Sequence, residues 1–176
     1  MIRSVILVES GFQDEEFVYP YYRMLEEGWQ VDVASPDGAE RKGKYGVPAR
    51  VNRMIGNLDA KDYDAVVIPG GFECPDRLRT NDYACRFVRD MWFFGKLVAA
   101  ICHGPWVLIN AGIIAGRVVT GYDSITIDLG NAGGRLSLDP VVVDANLITA
   151  NHYKNNGSFM RAVTLWMAHK YAVAHV

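Results

Sequence analysis

The chain has 176 residues, half of them hydrophobic and 22% charged, with a formal net charge of −2. Length and composition fit a single globular domain, 1–176, with a core large enough to cover both faces of a sheet. The near-neutral charge makes no electrostatic case for nucleic acid or an anionic membrane as partner, and no apolar stretch approaches the roughly 20 residues of a membrane helix.

VILV at 5–8 reads as a first buried strand. Its apolar run is only about seven residues long and no small-residue cleavage site succeeds it, so it is not read as a secretory leader and a cytoplasmic location is the default expectation. Asp14 to Gly28 reads as a helix with apolar residues at 17, 18, 21, 24 and 25, Asp14 as N-cap and Gly28 as stop. Glu16 sits in its first turn, where acidic residues commonly complement the helix dipole, and that reading covers Asp14 and Glu15 fully. Pro20, four residues on, has no N–H for the Glu16 carbonyl, which predicts an irregular helix at this carboxylate. A carboxyl held close to a thiolate would have its pKa raised and would donate a hydrogen bond to sulfur.

VDVAS (31–35) alternates as a second strand, and the prolines and glycines of 36–57 predict an excursion containing a hairpin. AVVIPGG (65–71) reads as a buried strand ending in a glycine turn. A helix over 81–94, a strand at 97–102 and a short helix over 104–112 come next. VVT (118–120), a helix over 124–132, a strand pair near 135–143 and 147–150, and a final helix over 156–173 complete the chain. Short strands alternating with helices imply an α/β fold with a mostly parallel sheet covered on both faces. Ligands in such folds sit beyond the carboxyl ends of the strands. Three polar features fall there: Glu9 to Glu16, Gly70-Gly71, and Cys102-His103.

The cysteines are Cys74, Cys85 and Cys102, an odd number with no CxxC, which argues against a disulfide framework. No His or Cys cluster has zinc spacing, and the six-residue interval between His169 and His175 suits no familiar metal pair. No cofactor is expected.

Ala100-Ile101-Cys102-His103-Gly104 has the form small-x-nucleophile-x-small, the pattern of a nucleophile elbow. The helix after it is expected to present its N-terminal amides to the thiol and favour the thiolate. A free cysteine is also often just a small buried hydrophobe. His103 is adjacent in sequence, so it is expected to pack on a neighbour and act as base through substrate or water. A third group should fix its tautomer, with Asp76 and Glu73 as candidates on composition alone. Backbone N–H groups at Gly70-Gly71, with that of His103, are placed to line an oxyanion hole.

These residues resemble the PfpI (intracellular protease) branch of the ThiJ/PfpI superfamily, which shares its core with class I glutamine amidotransferases. The matching stretches are GFQDEEFVYPYYRMLEEGWQVDVASP, VVIPGGFECPDRLR, LVAAICHGPWVLINAGIIAGRVVTGY, NAGG and VVVDANLITA, of which AICHGP is the most specific. The resemblance implies a flavodoxin-like three-layer sandwich. It implies Cys102 as nucleophile, His103 beside it, and Glu16 as the carboxyl that meets the thiol. It further implies that an acidic residue after Gly-Gly, Asp76 here, orients the histidine of a neighbouring subunit, so that the protein is a homo-oligomer, a dimer or hexamer.

Several positions depart from the family pattern. Asp76 stands where Glu is usual, the loop Phe72-Glu73-Cys74 reads as one residue longer so that Glu73 is an alternative, and Asp123 stands where Pro is common. Cys74 is read as a spectator thiol. Asn151, His152, Tyr153 and Lys154 stand where a Ser-Arg pair, then Pro and an acidic residue, are usual, which leaves His152 as a substrate contact or a surface residue. Gly70, Phe72, Tyr122 and His152 are the expected substrate-binding residues, with Phe12, Trp106 and Tyr153 as further rim aromatics. The expected function is cysteine-nucleophile chemistry on a small electrophilic carbon. The family's activities imply a peptide or small-molecule substrate in peptidase, glyoxalase, deglycase or isocyanide hydratase reactions. A cysteine-oxidation stress sensor and a chaperone without turnover are the alternatives.

Overall fold

The computed structural model describes residues 1–173. In chain order the strands are β1 (Arg3–Leu7), β2 (Gln30–Ser35), β3 (Arg41–Lys42), β4 (Pro48–Ala49), β5 (Arg53–Met54), β6 (Ala65–Ile68), β7 (Leu97–Ile101), β8 (Val118–Val119), β9 (Arg135–Leu136), β10 (Val141–Asp144) and β11 (Leu147–Ala150). The helices are α1 (Asp14–Glu26), α2 (Glu73–Leu78), α3 (Asp82–Phe93), α4 (Pro105–Asn110), α5 (Thr126–Asn131) and α6 (Asn156–Val173).

A seven-stranded sheet runs β10-β11-β7-β6-β1-β2-β5, parallel throughout except where β10 pairs antiparallel with β11. α1 packs against α6 and α3 against α4. Helices cover both faces, which is why β6 and β7 are apolar at every position and buried throughout. Ile6, Leu7, Ile68, Leu97, Ile101, Leu108 and Phe159 are fully buried, each worth about 1.5–3 kcal/mol of hydrophobic transfer. The α/β architecture is the one expected, with β7, β6 and β1 side by side. Their carboxyl ends therefore bring the three polar segments together.

Local differences from the sequence reading have simple causes. Gln13, not Asp14, is the N-cap residue of α1, because the Asp14 carboxylate is taken by the β3–β4 hairpin: it accepts from Tyr45 N and Val47 N, both at 2.9 Å. Pro20 sits inside α1 without interrupting it. The expected loop at Phe72-Glu73-Cys74 opens α2, whose Cys74, Pro75 and Leu78 are buried. Residues 135–136 do not pair with β11; they run parallel to β8 in a separate two-stranded sheet. His175 lies outside the described residues.

Candidate active site

β7 ends at Ile101, and Cys102 takes a φ of 61°. This is left-handed geometry that non-glycine residues occupy at a cost of roughly 1–3 kcal/mol. The strained position is held on both sides: Cys102 N donates to Ala150 O at 2.8 Å, and its carbonyl accepts from Tyr122 N at 2.9 Å. The sharp turn projects the sulfur outward, and the side chain remains only 6% exposed.

His103 turns back onto that sulfur. Its Nδ1 lies 3.3 Å from Cys102 Sγ, so the imidazole meets the thiol directly rather than only through substrate or water. Its Nε2 lies 3.2 Å from Ser124 Oγ. A thiol donating to Nδ1 requires the proton on Nε2, which then donates to Ser124. Burial, with the charge of Lys44 adding to it, holds the His103 pKa below the usual imidazole range, which favours this neutral, proton-accepting form. Within the chain, the group fixing the ring is thus Ser124. Glu73 is turned to Arg77, at 3.1 Å, and Asp76 is exposed on α2.

Behind the sulfur lies Glu16, fully buried. Its Oε2 accepts from Gly70 N at 2.7 Å, while Oε1 makes no hydrogen bond. Burial lifts its pKa from 4.5 to about 7, against the lowering influence of the Gly70 N–H and of the neighbouring Cys102 side chain. A carboxyl with one oxygen unpaired in a dry site is best accommodated protonated, with Cys102 as neighbour.

Burial also pushes the Cys102 thiol up, and an ionised Glu16 pushes it further. The backbone N–H groups of His103 and Gly71 pull the other way. The expectation that α4 aims its amides at the sulfur is corrected. Gly104 N, Trp106 N and Val107 N are consumed by Ile101 O, His103 O and Gly104 O at 2.8, 3.0 and 3.0 Å, and Pro105 has no N–H. The two amides that do face the sulfur come from the elbow and from the turn after β6. A thiolate at Cys102 would thus be opposed by an ionised Glu16 and helped by a protonated one, and His103 Nδ1 is within reach of the thiol proton.

Gly70 has to be glycine: a Cβ there would lie 2.6 Å from Glu16 Oε2, 2.7 Å from Cys102 Cβ and 2.8 Å from His103 N. Gly71 has a φ of 80°, and a side chain on it would collide with the Gly11 carbonyl.

The sulfur opens into a cavity of about 290 Å³ lined by Gln13, Lys44, Tyr45, Gly71, Phe72, Cys102, His103, Tyr122, His152 and Tyr153. A larger groove, about 460 Å³ between α1 and β4, lies away from these groups and contains no nucleophile. Aromatic rings form a stack across the site. His103 stacks on Tyr122 at 4.8 Å and Tyr122 on His152 at 5.8 Å, while Tyr153 lies tilted against His152 at 4.1 Å. The unusual segment 151–154 thus borders the Cys102 cavity from within the same chain. Phe72 also lines the cavity; Trp106, expected on the rim, is not in the lining and packs behind it, 5.7 Å from the Phe72 ring and 5.2 Å from the His103 ring. Phe12 is not on the rim but in the core, 5.0 Å from Phe17.

Cys74 is fully buried; its sulfur accepts from Glu9 N at 3.2 Å, and burial pushes the thiol up to about 12. The sequence reading missed Ser124, Lys44, Tyr45 and Gln13. The departure at Asp123 was the sole signal pointing toward Ser124. Among the described residues, no group of three or more His, Cys, Asp or Glu is arranged to hold a metal ion, and no helix is long and apolar enough to cross a membrane.

Residues 3–165 match the family described as the DJ-1/PfpI family. Over 160 residues the chain is 38% identical to Deglycase PfpI of Pyrococcus furiosus, covering 91% of this chain and 96% of that protein. Over 151 residues it is 35% identical to Protein/nucleic acid deglycase 2 of Escherichia coli, covering 85% and 87%. A crystal structure of a two-domain Anabaena variabilis protein, with dj-1/thij/pfpi-like and ferritin-like domains, superimposes with a TM-score of 0.93 at 35% identity. The match covers 96% of this chain and 48% of that one, so the chain spans about half of the two-domain protein.

Proposed function

Because this chain belongs to the DJ-1/PfpI family, we propose that it is a cofactor-independent cysteine enzyme acting on small electrophilic carbonyl compounds, in deglycase or glyoxalase chemistry. The observation that carries this reading is the 3.3 Å approach of His103 Nδ1 to Cys102 Sγ. The names of the relatives, two of them deglycases, support the same class.

The geometry supports a simple order of steps. The thiol proton passes to His103 Nδ1 while Nε2–H stays on Ser124. Sulfur adds to the carbonyl carbon, and the C=O electron pair moves onto oxygen. The N–H groups of Gly71 and His103, which already face the sulfur, take up that negative charge. His103 returns the proton to the oxygen, giving a hemithioacetal. With methylglyoxal, shifting a proton from the first carbon to the second through an enediol yields a thioester. Water then hydrolyses it, so that methylglyoxal and water become lactate with the thiol regenerated. Glu16 keeps its proton and donates to sulfur when the thiolate forms. Phe72, Tyr122 and His152 enclose the substrate together with Gly71; Gly70, expected as a further contact, gives its N–H to Glu16 and is not part of the lining. In a homo-oligomer, Asp76 or Glu73 of one subunit is proposed to take the place of Ser124 at the His103 ring of the next.

The test is lactate formation from methylglyoxal, and release of amine from glycated peptides, by the wild type and Cys102→Ser. The substitution is expected to lower turnover at least about a thousandfold with an unchanged circular dichroism spectrum. Equal turnover by both proteins, or none by the wild type on either substrate, overturns the reading.

A further inference from the structure

We propose that Lys44 and His152 form an anion-binding subsite beside Cys102, and that the preferred substrate carries a carboxylate near its electrophilic carbon, as a glycated free amino acid does. The inference rests on Cys102 being the nucleophile and adds the class of substrate.

Among the residues lining the cavity are Lys44, His103 and His152, and no Asp or Glu. The carboxylates nearest in sequence and space are occupied elsewhere. Asp14 holds Tyr45 N and Val47 N, Glu15 accepts from Gln13 Nε2 at 2.7 Å, and Glu16 lies behind Gly70. Lys44 makes no ion pair among the described residues. Its backbone is fixed, with Lys44 N donating to Phe12 O at 2.8 Å, and its Nζ lies 5.3 Å from the Tyr45 ring centroid. Its field reaches the catalytic groups, since Lys44 contributes to holding the His103 pKa down. Elsewhere in the lining, His152 Nδ1 accepts from Lys154 N at 3.1 Å, which leaves Nε2–H as its remaining donor. Lys44 is exposed, so water solvates its ammonium and what it offers the cavity mouth is a positive field with no carboxylate in the lining to cancel it. A carboxylate on the substrate gains that field and accepts from His152 Nε2–H.

The experiment compares two alkylating agents that react identically at sulfur. Iodoacetate carries a carboxylate and iodoacetamide a neutral amide; in each, the S–C bond forms as iodide leaves. The same thiolate attacks the iodine-bearing carbon of both, so the ratio of their rates cancels any change in the Cys102 pKa. Rates at Cys102 are read by intact mass and peptide mapping. The wild-type ratio of iodoacetate to iodoacetamide is expected to fall about tenfold in Lys44→Met, to be retained in Lys44→Arg and in the hairpin control Lys42→Gln, and to decline with added sodium chloride in the wild type. His152→Ala is expected to lower it by a smaller factor. Alkylation by both reagents with the same ratio in wild type and Lys44→Met overturns the subsite and leaves the nucleophile in place. No alkylation of Cys102 by either reagent overturns the nucleophile and the subsite together.

Discussion

At the floor of the cavity, Cys102, Gly70, Gly71 and Glu16 are buried and position one another largely through backbone contacts. At its wall, Lys44, Ser124, His152 and Tyr153 are exposed or half-exposed and come from three separate loops. A change of one atom on the floor meets fixed neighbours within 3 Å, as at Gly70. A change on the wall meets mostly solvent. The proposed function therefore ties reactivity to the close-packed interior and assigns selection among substrates to side chains that the fold tolerates losing.

The sharpest way to break this contrast is on the floor. Gly70→Ala is expected to abolish turnover and to destabilise the chain by about 2 kcal/mol, the usual cost of overpacking a rigid site; urea melts and turnover check it, and a stable active variant would show the floor to be pliant. Glu16 sharpens it through pH. Burial raises its pKa from 4.5 to about 7, so between those values the folded chain holds a proton that the unfolded chain has released. Stability conferred by this group is therefore greatest at and below about pH 4.5 and declines as pH rises to 7, by roughly 3 kcal/mol. Glu16→Gln should flatten that slope in denaturation curves taken at pH 5 and 7.5; an unchanged slope assigns it to other groups.

The wall should respond more mildly. Ser124→Ala removes the Nε2 partner of His103 and is expected to lower kcat about fivefold with little change in KM. Ser124→Thr should restore most of the loss; an equal loss in both variants would show that the hydroxyl has no orienting role. The smallest effect is expected at His152→Ala, which ends the ring stack beyond Tyr122. It should raise KM about threefold at unchanged kcat; a fall in kcat would move His152 from wall to floor.

The same contrast explains what the sequence made legible. Continuous apolar strands and the Ala-Ile-Cys-His-Gly pattern are local, and they located β1, β6, β7, the elbow and the glycine turn; Glu16 beside the thiol followed from the family resemblance. Contacts on the wall join residues far apart in the chain and leave no local trace. Ser124 reaches His103 because Tyr122 N is pinned to Cys102 O at 2.9 Å. Lys44 reaches the cavity because a carboxylate that reads as a helix cap, Asp14, instead holds the hairpin. α2 was hidden by its brevity and by Pro75, which reads as a breaker but is accommodated in the first turn, where its missing N–H costs nothing. The amides at the start of α4 are not free for the sulfur because the carbonyls of Ile101, His103 and Gly104, at the end of β7 and in the elbow, take them.

The tether of the β3–β4 hairpin has a consequence for divergence. Asp14 takes the N–H groups of Tyr45 and Val47, and the Phe12 carbonyl takes that of Lys44. All three bonds are made by main-chain donors, which every residue except proline supplies. The side chains at 44 and 45 are thus exchangeable parts on a fixed mount, and a descendant of this chain can acquire a new specificity there without rebuilding the scaffold that carries it.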